Sequence, residues 1–324
     1  MLTLDRRTLL RAGTAAAVAA TAGLAAPAQA RAPLAGKQTA GFYRLKIGSI
    51  EVTVLSDGSV AFPADFLWAA PPADITAALS ADFLPSAPAV AQLNTILVNT
   101  GDKLVLIDSG TGGKFQNTSG RLLANLAAAG YAPADIDTVL FTHFHPDHLW
   151  GISDAKNAAL LFPSAEFVAS ETEIGFWGAS ELPGKVPEGM KAMVEATQGT
   201  MSLTKGRLRG IKAGAEVVPG LNTIDTPGHT PGHMSIHIGS GDADLIVTGD
   251  VVFNPAVTFR HPDWPVGFDM DKEMAAKTRK AFLDRVSADK TLIAGYHLPF
   301  PALGHVARDG NAYRYVPADW RWVD

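Results

Sequence analysis

Asp137-Thr138-Val139-Leu140-Phe141-Thr142-His143-Phe144-His145-Pro146-Asp147-His148 joins a short apolar run to three histidines and an aspartate packed into six residues. Core histidines usually occur singly, and an exposed pair needs no aspartate at a fixed offset, so packing or loop polarity does not account for the cluster. In an extended segment His143 and His145 share one side while Phe144 points to the other, into an apolar layer. Asp147 and His148 then turn toward a second position. Four potential ligands this close exceed what one tetrahedral ion with an open site needs, which points to two divalent ions side by side.

The apolar run has the length and composition of a strand buried on both faces. Two further runs resemble it: Leu245 to Thr248 ends at Gly249-Asp250, and Thr291 to Ala294 ends at Gly295-Tyr296-His297. Between them Met274, Thr278, Phe282 and Val286 line one side of a helix. Upstream, alternation predicts a hairpin from Tyr43 to Val54 closed by Ser56-Asp57-Gly58, and a second one pairing Thr95 to Val98 with Leu104 to Ile107. Leu122, Leu123, Leu126 and Ala127 form a helical stripe that ends at Gly130. Strands separated by helices indicate an α/β fold, in which ligands collect at strand ends. The remaining metal-ligand candidates are therefore His229 or His233 in Thr226-Pro227-Gly228-His229-Thr230-Pro231-Gly232-His233, Asp250, whose two oxygens can bridge two ions, and His297.

Taken in order, THFHPDH, TPGHTPGH, TGD and GYHLPFP resemble the metallo-β-lactamase superfamily across nearly the whole chain. Gly41-Phe42-Tyr43-Arg44-Leu45, Leu55-Ser56-Asp57-Gly58, Leu106-Ile107-Asp108-Ser109-Gly110 and Tyr313-Arg314-Tyr315-Val316-Pro317 resemble its methyl parathion hydrolase branch. The resemblance implies a four-layer αββα sandwich. It implies His143, His145 and His229 on one metal, Asp147, His148 and His297 on the other, and Asp250 bridging. It also implies that Asp108 orients the first histidines, that His233 supports the site without ligating, and that Phe115, Trp177, Met190 and Phe253 wall the substrate pocket. Relatives that hydrolyse acyl-homoserine lactones commonly carry a tyrosine three residues after the bridging aspartate; this chain has Phe253 there.

Two adjacent dications, with zinc first among the metals that imidazole and carboxylate suit, lower the pKa of a shared water to roughly 7 and supply a hydroxide nucleophile. Asp147 and Asp250 are the candidates for proton handling. The expected activity is hydrolysis of neutral aryl esters or lactones, with organophosphate triesters as a further class. Alternatives are an acyl-homoserine lactone lactonase, a glyoxalase-II-like thioesterase and a non-catalytic periplasmic zinc-binding module.

Composition is that of a globular protein: 324 residues, 47% hydrophobic and 18% charged, with net charge −5. No basic cluster offers a footprint for nucleic acid. The absence of cysteine excludes disulfides, thiolate nucleophiles and Cys-ligated metals. Residues 1–30 resemble a twin-arginine signal, with Arg6-Arg7, an Ala-rich stretch and Ala28-Gln29-Ala30. Residues 31–324 are then one exported hydrolase domain, periplasmic or secreted, with no stable membrane span after processing. Trp320 and Trp322 are read as terminal packing, with a homodimer contact as the alternative; His237 is read as an ordinary sheet histidine, and His305, like His233, as a hydrogen-bond partner and not a ligand.

Overall fold

Gly48 turns the chain at φ +57, and strands β1 (Phe42–Ile47) and β2 (Ile50–Phe62) pair antiparallel on either side, Tyr43 opposite Val54. The computed structural model describes residue 32, residues 34–204 and residues 206–322, so the export segment expected at residues 1–30 lies outside the described residues. Residues 40–324 form one compact unit.

The first sheet runs in sequence order through β1, β2, β3 (Ala89–Asn99), β4 (Leu104–Ile107), β5 (Thr138–Leu140), β6 (Glu166–Ser170) and β7 (Leu208–Ile211). Its first four strands are antiparallel, and β4 to β7 are parallel. The second sheet contains β8 (Glu216–Val218), β9 (Leu221–Asp225), β10 (Met234–Ser240), β11 (Ala243–Val247), β12 (Leu292–Ala294), β13 (Leu303–Asp309) and β14 (Ala312–Pro317), again in sequence order. Only the β11–β12 pair is parallel in it.

The inner faces meet through buried aliphatic side chains, among them Val52, Val54, Ile96, Val105 and Ile107 from the first sheet and Ile236, Ile238, Leu245 and Val247 from the second. Helices cover the outer faces. Trp177 and Val194, from the helices Glu171–Gly178 and Glu188–Ser202, pack with Leu122 and Leu126 on the first sheet. Phe282, Leu283 and Val286 of the helix Lys272–Asp289 pack on the second. These are the four layers of an αββα sandwich, as the resemblance implies. Among the described residues no helix is long and apolar enough to cross a membrane.

Three local expectations are corrected. Ser56-Asp57-Gly58 does not close a hairpin; it is an irregularity inside β2. The buried Asp57 carboxylate accepts the Thr111 and Leu122 main-chain N–H groups at 2.8 and 2.9 Å, so the extra residue turns it toward two distant segments. In the helix Lys272–Asp289 the buried face carries Ala275, Arg279, Phe282, Leu283 and Val286, and Met274 is exposed. Hydrophobic spacing alone misplaces that face because Arg279 is paired inside. Trp320 and Trp322 lie beyond β14 and are 64% and 76% exposed, so they stay outside the core and touch only each other and Tyr43 among the aromatic rings.

Ile236→Ala, in the fully buried inter-sheet layer, should cost about 2–5 kcal/mol in urea denaturation. Leu123→Ala, on an exposed helical position, should cost less than about 0.5 kcal/mol. Equal losses would show that the inter-sheet core does not carry the stability assigned to it.

Candidate metal centre

All seven histidines and aspartates expected to bind metal lie at one edge of the sandwich, where strands of both sheets end. His143 follows β5, and Pro146 begins a single turn, Pro146–Leu149, that carries Asp147 and His148. His229 sits between β9 and β10, Asp250 just after β11, and His297 just after β12. Parallel pairing of β4 with β5 and of β11 with β12 brings these strand ends to the same edge of their sheets.

Two groups result: His143, His145, His229 and Asp250, and beside them Asp147, His148 and His297. In the first, His145 Nδ1 lies 3.0 Å from His143 Nε2 and 2.9 Å from His229 Nε2. Asp250 reaches both groups: Oδ2 is 3.2 Å from His229 Nε2 and 3.0 Å from His297 Nε2, and Oδ1 is 3.3 Å from His148 Nε2. Asp147 Oδ2 is 3.6 Å from His297 Nε2 and 3.7 Å from His148 Nε2.

The neighbours of each ring fix its orientation. Asp108 Oδ2 accepts from the Thr142 hydroxyl and from His148 Nδ1, both at 2.8 Å. Having donated its proton to Asp108, the Thr142 hydroxyl is an acceptor for His143 Nδ1–H at 3.0 Å. Both rings are thereby left with Nε2 facing the centre. Asp108 thus holds His148 directly and His143 through Thr142. His233 does not ligate; its Nε2 accepts the Asp250 main-chain N–H at 3.0 Å and its Nδ1 faces the Thr226 carbonyl at 3.1 Å. Gly249, at φ +54, allows that approach, since a Cβ there would lie 2.5 Å from His233 Nε2. His297 Nδ1 donates to the Gln92 carbonyl at 2.8 Å.

His229 is held by a pair that sequence reading did not find. Its Nδ1 bonds Asp269 Oδ1 at 2.9 Å, and Asp269 Oδ2 accepts from Arg279 Nη2 at 3.0 Å and from the Val266 N–H at 2.8 Å. Arg279 is 1% exposed and also bonds the carbonyls of Val251, Pro262 and Trp264. An aspartate in a loop and an arginine ten residues on carry no local signal of that pairing.

The electrostatics fit a cation. Burial, with the neighbouring His148 and His229 charges, holds His143 and His145 well below the ordinary histidine range, so both are neutral donors. Burial and the His229 charge likewise bring His233 down to about 3. Burial acts to lower His229, but hydrogen bonds to Asp250 and Asp269 outweigh it and push it up to about 9. Burial acts to raise Asp250, but His297 and His148 hold it well below the usual carboxylate range. Buried polar atoms with no hydrogen-bond partner include His148 Nε2 and Asp250 Oδ1, which face each other at the centre. Such atoms are costly unless another charge satisfies them, and this donor set, imidazole with carboxylate, suits two divalent ions.

A narrow cavity of about 40 Å³ opens over the centre. His145, Asp147, Asp250 and His297 form its floor, and Val60, Phe62, Phe115, Met193, Phe253 and Phe268 form its walls. Phe253 lies against His297, ring centroids 3.9 Å apart. Two wall expectations are corrected. Trp177 is wholly buried behind His145, its indole N–H bonded to Glu173, so it supports the site without lining it. Met190 does not line the cavity; Met193, one helical turn on, does, because the helix starts at Glu188 and presents its next turn. Val60, Phe62 and Phe268 carry no sequence signal of this role, because an apolar side chain in a strand or a loop looks the same whether it packs or lines a pocket.

Comparison with known proteins adds the following. The sequence profile described as the metallo-beta-lactamase superfamily matches residues 89–297. An N-acyl homoserine lactonase of Bacillus cereus is 24% identical over 174 residues, 53% of this chain and 60% of that protein, so the chain spans under two thirds of that relative's length. The structure of AidC, described as a dizinc quorum-quenching lactonase with a product N-hexanoyl-L-homoserine, is similar at TM-score 0.82 and 29% identity, over 87% of this chain and 98% of that one. The hydrolase AbOPH, described as in the beta lactamase superfamily, is similar at TM-score 0.82 and 31% identity, over 88% of this chain and all of that one.

Arg279→Met leaves the Asp269 carboxylate buried without its cation. It should cost about 3–5 kcal/mol in denaturation of the metal-free protein. It should also weaken zinc retention against a chelator by about 10–100-fold. An unchanged denaturation midpoint would mean that His229 and Val266 suffice to hold Asp269.

Proposed function

Because the chain belongs to the metallo-β-lactamase superfamily, we propose that it is a dimetal hydrolase that opens neutral lactones bearing an apolar group, N-acyl homoserine lactones first among them. The observation that carries this reading is the cavity: its floor is four of the seven candidate ligands, its walls are apolar, and no lysine or arginine lines it. A neutral head with an apolar tail is complementary to it, whereas the remote anionic groups of a glutathione thioester find no lysine or arginine there. The relationship to AidC and the Bacillus lactonase supports the lactone class.

When bound, two divalent ions, with zinc the first choice, would supply an activated water and polarise the scissile carbonyl. The chain's own groups do the rest. Phe62, Phe115 and Phe268 seat the apolar tail and exclude water from the reacting carbonyl. Asp250 is committed to His148, His229 and His297, while Asp147 is 16% exposed and lies on the cavity floor. Asp147 is therefore the carboxylate placed to hold a proton for the departing oxygen.

One observation favours a second reading, hydrolysis of aryl esters and aryl phosphotriesters, as in the methyl parathion hydrolase-like branch. Phe253 has no hydroxyl, and the Tyr296 hydroxyl is bonded to the Asp147 carbonyl, so no phenol among the cavity walls can protonate an alkoxide. Aryl leaving groups do not need that proton. Export through the segment at residues 1–30 belongs to the same proposal and would place the enzyme outside the cytoplasm.

Zinc-loaded protein should turn over N-hexanoyl homoserine lactone and dihydrocoumarin faster than phenyl acetate or methyl paraoxon. His145→Ala should lose at least about 100-fold, since loss of a mere supporting partner costs up to that much. Faster turnover of phenyl acetate and methyl paraoxon would move the assignment to the second reading, and no turnover with two ions bound would end both. Phe253→Tyr should raise turnover of N-hexanoyl homoserine lactone relative to phenyl acetate by about tenfold or more, the low end of a positioned proton donor's effect being ~10²-fold. An unchanged ratio would show that proton supply does not limit the lactone.

A further inference from the structure

Glu173 lies outside the candidate ligands and outside the cavity, and its side chain is wholly buried. It occupies the first turn of the helix Glu171–Gly178, where the helix N-terminus favours negative charge. Oε1 accepts the Phe144 main-chain N–H at 2.9 Å and the Trp177 indole N–H at 2.7 Å. Oε2 accepts the Thr230 hydroxyl at 2.8 Å and the Gly232 main-chain N–H at 3.0 Å. Phe144 separates His143 from His145, and Thr230 follows His229. One carboxylate therefore joins the backbones on which the three histidines of one metal group are mounted, although 84 residues separate His145 from His229.

Two of the four donors are main-chain N–H groups and one is an indole, none of which can accept. The position demands two acceptor oxygens, which a carboxylate provides and an amide does not. Burial raises the pKa of the Glu173 carboxyl, and the four hydrogen bonds oppose that rise. The approach is close: a Cβ on Gly232 would lie 2.2 Å from the Glu173 nitrogen, so only glycine lets the turn after His229 reach the start of the helix. The other metal group makes no bond to Glu173; its supports lie elsewhere, and only Asp108, which reaches His143 through Thr142, is shared. Asp108 holds His148, the Gln92 carbonyl holds His297, and Tyr296 bonds the Asp147 carbonyl.

We propose that Glu173 is a positioning residue for one half of the metal centre, locking the His143–His145 segment to the His229 turn and so setting the spacing of those three nitrogens. This rests on the reading of the seven residues as ligands of two ions.

The test is zinc content of the full protein, reconstituted with zinc and dialysed against a graded chelator series, for wild type and Glu173→Gln. The amide keeps size and length but turns one acceptor into a donor facing N–H groups. The expected result is loss of one ion at a chelator concentration on the order of 10-fold lower than in wild type, with the second ion retained and circular dichroism unchanged. Thr230→Val, which removes only one of the four donors, should weaken the same ion by a smaller factor. A folded Glu173→Gln protein that keeps both ions at wild-type resistance, or loses both in parallel, overturns the proposal. Should Glu173→Gln fail to fold, Thr230→Val decides, and wild-type resistance for both ions in that variant overturns it as well. Wild-type protein that takes up no zinc overturns the ligand reading itself, and this proposal with it.

Discussion

Three imidazole nitrogens, His143 Nε2, His145 Nδ1 and His229 Nε2, meet at about hydrogen-bond distance at the buried floor of the cavity, with the Asp250 carboxylate against them. His143 and His145, held neutral by burial, turn lone pairs toward one another and repel, and a buried carboxylate with an unsatisfied oxygen is costly, unless positive charge lies among them. Most of the architecture follows from meeting that constraint. The groups come from strand ends in both sheets, so the sheets must face each other, and the aliphatic inter-sheet layer that makes them do so stops where the polar groups begin.

Each group is then held from behind by a partner suited to it. Asp108 is acidic and serves two rings, one of them through Thr142. His233 is kept neutral by burial and therefore accepts the Asp250 N–H instead of competing for the carboxylate. Asp269 is kept charged by His229 and Arg279 together, and it orients the His229 ring. These partners come from loops and from the outer helix Lys272–Asp289, so the helical layers define the centre as much as the strands do.

The substrate walls follow another logic. Phe62 ends a long strand, Phe115 and Phe268 come from loops, and Met193 comes from a helix, and they meet only because the sheets bring those segments to one edge. Phe62 and Phe268 touch edge to face at 5.5 Å, which makes the wall a connected aromatic surface. The floor is thus set by strand ends, while the apolar walls above it come from a strand end, loops and a helix.

Much of this was legible in the chain. His143, His145, Asp147 and His148 sit at spacings that decide which side chains share a side of an extended segment, and that is a local property. Asp250 and His297 were legible because each follows a short apolar run, and buried parallel strands deliver their C-terminal ends to a common edge. Resemblance, not spacing, separated His229 from His233 and singled out Asp108. Trp177 behind the site, Met193 in place of Met190, the Arg279–Asp269 pair and the four-way grip of Glu173 were decided only by the tertiary structure. Local spacing records which residues can point the same way, whereas burying a charge requires a partner, and here the partners stand ten to nearly sixty residues away, brought together only by the packing of sheets and helices.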